Sequence, residues 1–302
     1  MPWADQLCEA IRQRNSAVCV GLDPRTQQLP ISLAPPAGAD NAAIAECYRR
    51  FSEGIIDAVA DLVPVVKPQA AFFEQLGPAG TVALAQVIDH AIDAGLLVVL
   101  DAKRNDIGTT AEAYAAAYLG RTSPWHSDAL TVSPYLGDDS LDPFVDACDR
   151  SAAGIFVLVK TSNPGGRFLQ DRRADGEAIY QTVAKWVTQA NASRLGRFGY
   201  GPVGAVVGAT YPEQLAELRA AMPGTLILIP GFGAQGGAAA DVAAGFDSRG
   251  LGAIVNNSRN ILFAYQRPEF AETYGPARWQ DAARQATVEM NQQLNEIRSS
   301  GG

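Results

Sequence analysis

The chain has 302 residues, of which 47% are apolar and 19% charged, a composition that is ordinary for a globular protein and excludes a fibrous or disordered one. Its 24 basic and 32 acidic residues leave a formal charge of −8 with no basic block, so we expect neither a nucleic-acid partner nor an anionic membrane surface. Any anionic ligand must therefore be held by a few local cations or by backbone amides.

The first residues, MPWADQLCEAIRQRN, predict a short amphipathic helix over 3–15 that contains acidic residues and is unlike a secretion signal. No apolar run approaches membrane-spanning length. The four cysteines show no CxxC or Cys/His spacing, and the chain has only two histidines, so we expect reduced thiols and no metal site. We therefore expect a cytoplasmic protein.

Eight short apolar runs recur in the chain, at residues 17–23, 62–68, 96–103, 128–134, 154–162, 204–210, 225–231 and 252–258. Because they are continuous rather than alternating, they are typical of strands covered on both faces, as in parallel sheets. Stretches with apolar residues at helical spacing lie between them. Asp40, Ser140 and Thr210 are predicted to cap helices in these stretches.

Eight strands that alternate with helices predict one closed (β/α)8 TIM barrel over residues 1–302, with a C-terminal helix at about 276–298. The competing architecture is an open doubly wound sheet, which usually has fewer strands and a second domain. No linker, repeat or low-complexity tract divides this chain. The single barrel is therefore the better interpretation.

Charged residues stand where the first three runs end, the position at which barrel enzymes build their active sites. They are Asp23, Lys67, Asp101 and Lys103, with Asp106 in the following loop. Taken singly, Asp23 could cap a turn and Lys67 could extend to water. Because neighbouring strand ends converge in a barrel, we interpret the set as one array of alternating charge.

Glycines follow the seventh run in the segment LILIPGFGAQGG, where Gly231, Gly233 and Gly236 have the spacing of a dinucleotide fingerprint. In dinucleotide-binding proteins that fingerprint normally opens the fold, and the strand after it ends in an acidic residue. In this chain the glycines follow the seventh run, and the strand predicted after them ends in asparagine. We therefore interpret the glycines as a phosphate-binding loop, completed by Ser258 and Arg259 after the eighth run.

The middle strands end in neutral donors and acceptors, namely Thr131, Ser133, Ser162 and Asn163. A planar heterocycle with several amide edges would suit such a lining. Capping of loops by the same residue types is the alternative, and spacing alone leaves both open.

The segment DAKRNDIGTT resembles the D-x-K-x-x-D-I-x-x-T signature of the orotidine 5′-phosphate decarboxylase family. The segments GLDP, VVKP, KTSN, VGAT, PGFGAQGG and NNSRNI match that family's successive strand ends in order. The forms SPYLG and PGFGAQGG are similar to its extended bacterial subfamily, type 2. The resemblance spans roughly Val18 to Leu262.

The resemblance implies a cofactor-free decarboxylation of orotidine 5′-phosphate to UMP, the last step of de novo pyrimidine biosynthesis. In it, Lys103 is the proton donor to C6 of the pyrimidine, and Asp101 lies against the substrate carboxylate. Lys67 and Asp23 contact the ribose and complete the charge network.

The same resemblance implies a homodimer with shared active sites, in which Asp106 and Thr110 reach into the neighbouring subunit's site. Ser162 is matched to the pyrimidine edge, and Gln235 and Arg259 are matched to the phosphate grip.

Three other activities fit parts of the pattern. A metal-dependent sugar-phosphate decarboxylase or aldolase of the same superfamily would use Asp23 and Asp101 as metal ligands. A Schiff-base aldolase would use Lys103, Lys67 or Lys160. A non-catalytic sensor would bind a phosphorylated metabolite without turnover. The role of Lys160 is open at this point.

Overall fold

The computed structural model describes residues 1–232 and 239–299, and its apolar runs form a closed parallel barrel. The barrel strands are β1 (Val18–Leu22), β2 (Val65–Pro68), β3 (Leu97–Arg104), β4 (Ala129–Val132), β5 (Gly154–Lys160), β6 (Val203–Val207), β7 (Ile227–Ile229) and β8 (Ala253–Asn257). Each strand pairs with the next in chain order, and β8 pairs with β1 to close the ring. The predicted single barrel is confirmed, and each predicted run overlaps one strand.

Helices follow the strands and form the outer layer of the barrel. Within the described residues they are α1 (Trp3–Arg14), α2 (Asn41–Val59), α3 (Ala70–Glu74), α4 (Pro78–Asp93), α5 (Gly108–Tyr118), α6 (Asp142–Ser151), α7 (Ile179–Asn191), α8 (Pro212–Ala221), α9 (Ala239–Val242), α10 (Arg259–Leu262), α11 (Pro268–Ala271) and α12 (Trp279–Ser299). A small antiparallel hairpin pairs Arg173–Ala174 with Glu177–Ala178 between β5 and α7. Of the helices in the described ranges, none is long and apolar enough to cross a membrane.

Of the three predicted helix caps, one is confirmed and two are wrong. The Asp40 carboxylate accepts a hydrogen bond from the Ala43 amide at 2.9 Å. Ser140 instead donates to a carbonyl of its own loop, and Thr210 lies two residues before α8 begins at Pro212. Both of these helices have proline in the first turn, which presets the helical backbone and removes one amide that would need a cap.

Side chains alternate between the inside of the barrel and the surrounding helices, so the chain has two apolar layers. The inner layer includes Phe156, against which the Trp3 ring of α1 packs edge to face with centroids 6.4 Å apart. Gly154 makes this approach feasible, because a Cβ there would lie 2.0 Å from the Trp3 ring. The N-terminal helix therefore covers the amino ends of the strands, opposite the carboxyl ends.

Candidate active site

A cavity of about 310 Å³ opens at the carboxyl ends of the barrel strands. Its floor is apolar, formed by Leu158, Val206 and Leu228. Its polar lining comes from Asp23, Lys67, Gln69, Asp101, Lys103, Thr131, Thr161, Ser162, Asn163, Asn256, Asn257, Ser258 and Arg259. Asp23, Lys67, Asp101 and Lys103 lie on the β1 to β3 side, and Arg259 follows β8. Neutral donors and acceptors lie on the β4 to β5 side, so the cavity has a charged wall and a neutral wall.

Asp101 is the centre of the charged wall, and its two oxygens accept four hydrogen bonds. Oδ2 accepts from Lys67 Nζ at 2.7 Å and from Gln69 Nε2 at 2.9 Å. Oδ1 accepts from Lys103 Nζ at 2.6 Å and from Thr131 Oγ1 at 3.0 Å. These bonds come from β2, β3, β4 and the residue after β2, so closure of the barrel holds the carboxylate in one orientation.

The charges in this array stabilise one another despite burial. Burial alone would raise the pKa of the Asp101 carboxyl, but the ammonium groups of Lys67 and Lys103 outweigh it and hold that pKa well below its usual range. Burial alone would lower the pKa of Lys67, but the carboxylates of Asp101 and Asp23 outweigh it and raise that pKa. Asp101 and Lys67 are therefore a permanent ion pair at neutral pH.

The two lysines differ in freedom. Lys67 is 4% exposed and held within the wall, whereas the side chain of Lys103 is 48% exposed at the mouth. Both contact Asp101, but only Lys103 can change position without unpacking the barrel. Its ammonium is therefore the cation best placed to meet a ligand.

A bulge in β3 places Asp101 and Lys103 together on the cavity wall. Leu100 pairs with Leu130 and Arg104 with Val132, so four steps along β3 face only two along β4. Lys103 has a left-handed backbone with φ of 47°, a conformation that costs about 1 kcal/mol outside glycine. The Lys103 amide donates to Thr131 Oγ1 at 2.9 Å, which helps hold the bulge.

The β1 and β8 strands form the next part of the wall. The side chains of Ser258 and Asn256 pack directly against Gly21 of β1. A Cβ at Gly21 would lie 1.9 Å from Ser258 Oγ and 3.0 Å from Asn256 Oδ1, so this position has no room for a side chain. Oδ1 of Asp23 and Oδ1 of Asn256 are buried without a hydrogen-bond partner among the described residues. This side of the cavity therefore keeps unused acceptors, a state typical of a site that binds a polar ligand.

The predicted phosphate end lies between β7 and β8. Gly231 lines the cavity with φ of 98°, a conformation that glycine adopts without strain, and Ser258 and Arg259 line it from the end of β8. Gly233 and Gln235 lie outside the described residues. Gly231, the Ser258 hydroxyl and the Arg259 guanidinium therefore lie at the same edge of the cavity.

Some predicted residues do not reach the cavity of their own chain. Asp106 accepts a hydrogen bond from the Ile107 amide at 2.8 Å, and Thr110 is exposed on α5; neither contributes to the lining. Lys160 points away from the cavity toward Asp171. Arg104 also points away, contacting Tyr118 and Glu74.

Among the polar lining residues, sequence reasoning gave no role to Gln69, Thr161, Asn256 and Asn257. Gln69 is two residues after Lys67, and Asn256 is two residues before Ser258. The two-residue periodicity of strands was the signal that could have identified both.

Fold and site together define a (β/α)8 barrel enzyme with a lysine–aspartate–lysine array at its strand ends. Residues 16–274 match the model of the orotidine 5′-phosphate decarboxylase / HUMPS family. The chain belongs to this family.

Relatives of known name agree with that assignment. An orotidine 5′-phosphate decarboxylase from Rhodopirellula baltica is 62% identical over 299 residues, which cover 97% of this chain and 99% of that protein. One from Deinococcus radiodurans is 42% identical over 263 residues, 87% of this chain and 89% of that protein. The solved structure of the Leishmania donovani OMP decarboxylase superposes with a TM-score of 0.76 at 34% identity, covering 99% of both chains.

Proposed function

We propose that this protein decarboxylates orotidine 5′-phosphate to UMP and CO2 in pyrimidine biosynthesis. The proposal depends on one observation: the Asp101 carboxylate lies between the ammonium groups of Lys67 and Lys103 in the cavity at the strand ends. The 62% sequence identity to a decarboxylase over 97% of this chain supports the same reaction.

Lys103 is the proton donor in this mechanism. Loss of CO2 from C6 leaves a localised carbanion, and an ammonium beside that carbon stabilises the developing charge and then delivers a proton. The partial exposure of Lys103 and its single side-chain tether to Asp101 let the ammonium reach a ligand above it.

Asp101 acts through its fixed position. Four hydrogen bonds hold its charge against the position of the substrate carboxylate. The repulsion between the two carboxylates is relieved as CO2 departs. Lys67 offsets the buried charge and, with Asp23, contacts the ribose. The unused Asp23 oxygen provides an acceptor for a ribose hydroxyl.

The two ends of the substrate bind at different parts of the cavity. The pyrimidine contacts Ser162 on the neutral wall, and the phosphate binds at Gly231, Ser258 and Arg259. Gly233 and Gln235 complete the phosphate grip in this proposal. The phosphate is remote from C6 and takes no part in bond breaking. Its binding energy instead orders the residues of the site around the substrate.

We further propose a cytoplasmic homodimer in which Asp106 and Thr110 serve the partner's site. Both residues lie outside the cavity of their own chain. Ile107 is 59% and Tyr135 73% exposed on loops at the same end of the barrel. An interface at this end of the barrel would cover these apolar side chains, one of which, Ile107, follows Asp106 directly.

The alternative activities fit the site less well. A dication at Asp101 would face two ammonium groups that already occupy both oxygens. Schiff-base formation needs an unprotonated amine. Lys103 forms an ion pair with Asp101, the raised pKa keeps Lys67 protonated, and Lys160 faces away from the cavity.

The test is a spectrophotometric assay of purified protein with orotidine 5′-phosphate in the presence of chelator. We expect the absorbance of orotidylate to fall for the wild type. Lys103→Ala should lose at least about 10²- to 10⁴-fold in kcat, the range that general acid catalysis contributes. Lys185→Ala, at an exposed lysine on α7, is the matched control and should keep full activity.

Unchanged orotidylate with the wild type would overturn the proposal. Binding of UMP without turnover would instead support the sensor, and activity abolished by chelator would support the metal-dependent enzyme.

A further inference from the structure

The loop after β5 carries part of the cavity wall and returns to the barrel before α7. Its outgoing arm supplies Thr161, Ser162 and Asn163 to the cavity lining. Its returning arm passes through Gln170 and Asp171 before the small hairpin. The position of Ser162 therefore depends on how the two arms are held together.

Lys160 joins the two arms at their base. It is the last residue of β5, is 1% exposed, and its ammonium contacts the Asp171 carboxylate. The same ammonium lies 5.5 Å from the ring centroid of Tyr180 and 4.9 Å from that of Tyr211. The mechanism proposed above gives this buried cation no task.

The neighbouring contacts converge on the same arms. The Thr161 amide donates to Gln170 Oε1 at 3.0 Å, and Gln170 Nε2 donates to Thr161 Oγ1 at 2.8 Å. Thr210 Oγ1 donates to the Ser162 carbonyl at 3.3 Å. The ends of the loop are thus held at Lys160, Thr161 and Ser162 in succession, immediately beside the cavity.

We propose that Lys160 is a positioning residue whose ion pair with Asp171 holds the β5 loop so that Ser162 and Asn163 face the ligand. A buried ion pair adds little net stability, because desolvation offsets the attraction, yet it requires one partner at one position. An apolar side chain would pack on the two tyrosine rings without demanding Asp171. The cation therefore selects the arrangement of the loop. The identity of the ligand rests on the function proposed above.

Two variants test the anchor by kinetics. Lys160→Met keeps the side-chain length and its packing on the rings, and Asp171→Asn removes the charge from the half-exposed end of the pair. For both we expect KM for orotidine 5′-phosphate to rise about tenfold, equivalent to about 1.4 kcal/mol of binding, with a smaller change in kcat. Lys185→Met, which breaks the partly exposed Lys185–Glu177 pair, is the control and should leave KM unchanged.

A second readout does not depend on activity. The loop contains three potential trypsin sites, Arg167, Arg172 and Arg173, of which all are exposed. In ligand-free protein we expect both anchor variants to be cleaved at these sites several-fold faster than the wild type, with unchanged cleavage elsewhere. The Tm of Lys160→Met should be unchanged, because this variant leaves no buried charge without a counter-ion.

The outcomes separate the two proposals. Unchanged KM and unchanged loop cleavage in both variants overturn the anchor. So does a lower Tm of Lys160→Met with faster cleavage throughout the chain, since that would be a general structural role. If the wild type fails to turn over orotidylate, the proposed function fails, and selective cleavage of the loop still decides whether Lys160 anchors it.

Discussion

At the scale of single residues, the site depends on a division of work between two lysines that share one carboxylate. Lys67 is buried and compensates the charge of Asp101, whereas Lys103 is partly exposed and free to approach a ligand. Gln69 and Thr131 occupy the remaining positions on the carboxylate. The reactive ammonium can therefore move while its counter-ion stays fixed.

Replacing this carboxylate should give a pH-dependent loss of stability. The pKa of Asp101 is lowered in the folded protein, so its contribution is present above the unfolded pKa of about 3.9 and is lost as pH falls below that value. We expect Asp101→Asn to lower the free energy of unfolding by about 3–5 kcal/mol at pH 7, because it leaves the buried ammonium of Lys67 without its hydrogen-bonded counter-ion. Denaturant unfolding at several pH values measures the difference.

The gap in the free energy of unfolding between Asp101→Asn and wild type should narrow as pH falls from about 5 toward 3. Asp93→Asn, at an exposed residue on α4, should show no such gap. A gap that stays constant over this range would contradict the assigned charge state of Asp101.

At the scale of elements, the two ends of the barrel have separate tasks. The β3 bulge brings Asp101 and Lys103 to the carboxyl end, where the cavity opens. At the amino end, α1 seals the barrel with Trp3 against Gly154 and Phe156. Stability contributed by α1 is therefore remote from the chemistry.

This separation predicts that Trp3→Ala damages stability and spares catalysis. Trp3 is 1% exposed, so its removal should cost about 3–5 kcal/mol, the usual range for a buried aromatic residue. We expect kcat/KM of the folded fraction to stay at the wild-type value. Urea unfolding and steady-state kinetics below the transition measure the two effects. Gln13→Ala, at an exposed position of the same helix, should change neither, and a large fall in kcat/KM of Trp3→Ala would show that the ends are coupled.

At the scale of the whole molecule, the proposed dimer completes each site with residues of a second copy. Asp106 and Thr110 stand beside exposed apolar residues rather than in their own cavity. In a two-fold dimer the same patch would serve both protomers, so each would give and receive these residues.

Subunit mixing tests this sharing. Lys103→Ala and Asp106→Ala proteins should each have little activity alone, but hybrid dimers contain one complete site. After equal mixing and verified exchange we expect roughly one quarter of wild-type activity, since about half of the dimers are hybrids. Mixing Lys103→Ala with Asp101→Asn is the control and should restore nothing, because both changes damage the site of their own chain. No recovery in the first mixture would count against shared sites.

Sequence alone was sufficient for the barrel, because eight continuous apolar runs between helical stretches allow few other arrangements. It also brought Asp23, Lys67, Asp101 and Lys103 into one hypothesis, since the carboxyl ends of parallel strands must converge. Tertiary structure decided the rest: Gln69 and Thr131 as donors to Asp101, the β3 bulge, and the turn of Lys160 toward Asp171. These features depend on register between strands and on contacts between residues distant in the chain. Local pattern shows which side chains reach an edge, whereas closure of the barrel determines what each of them contacts there.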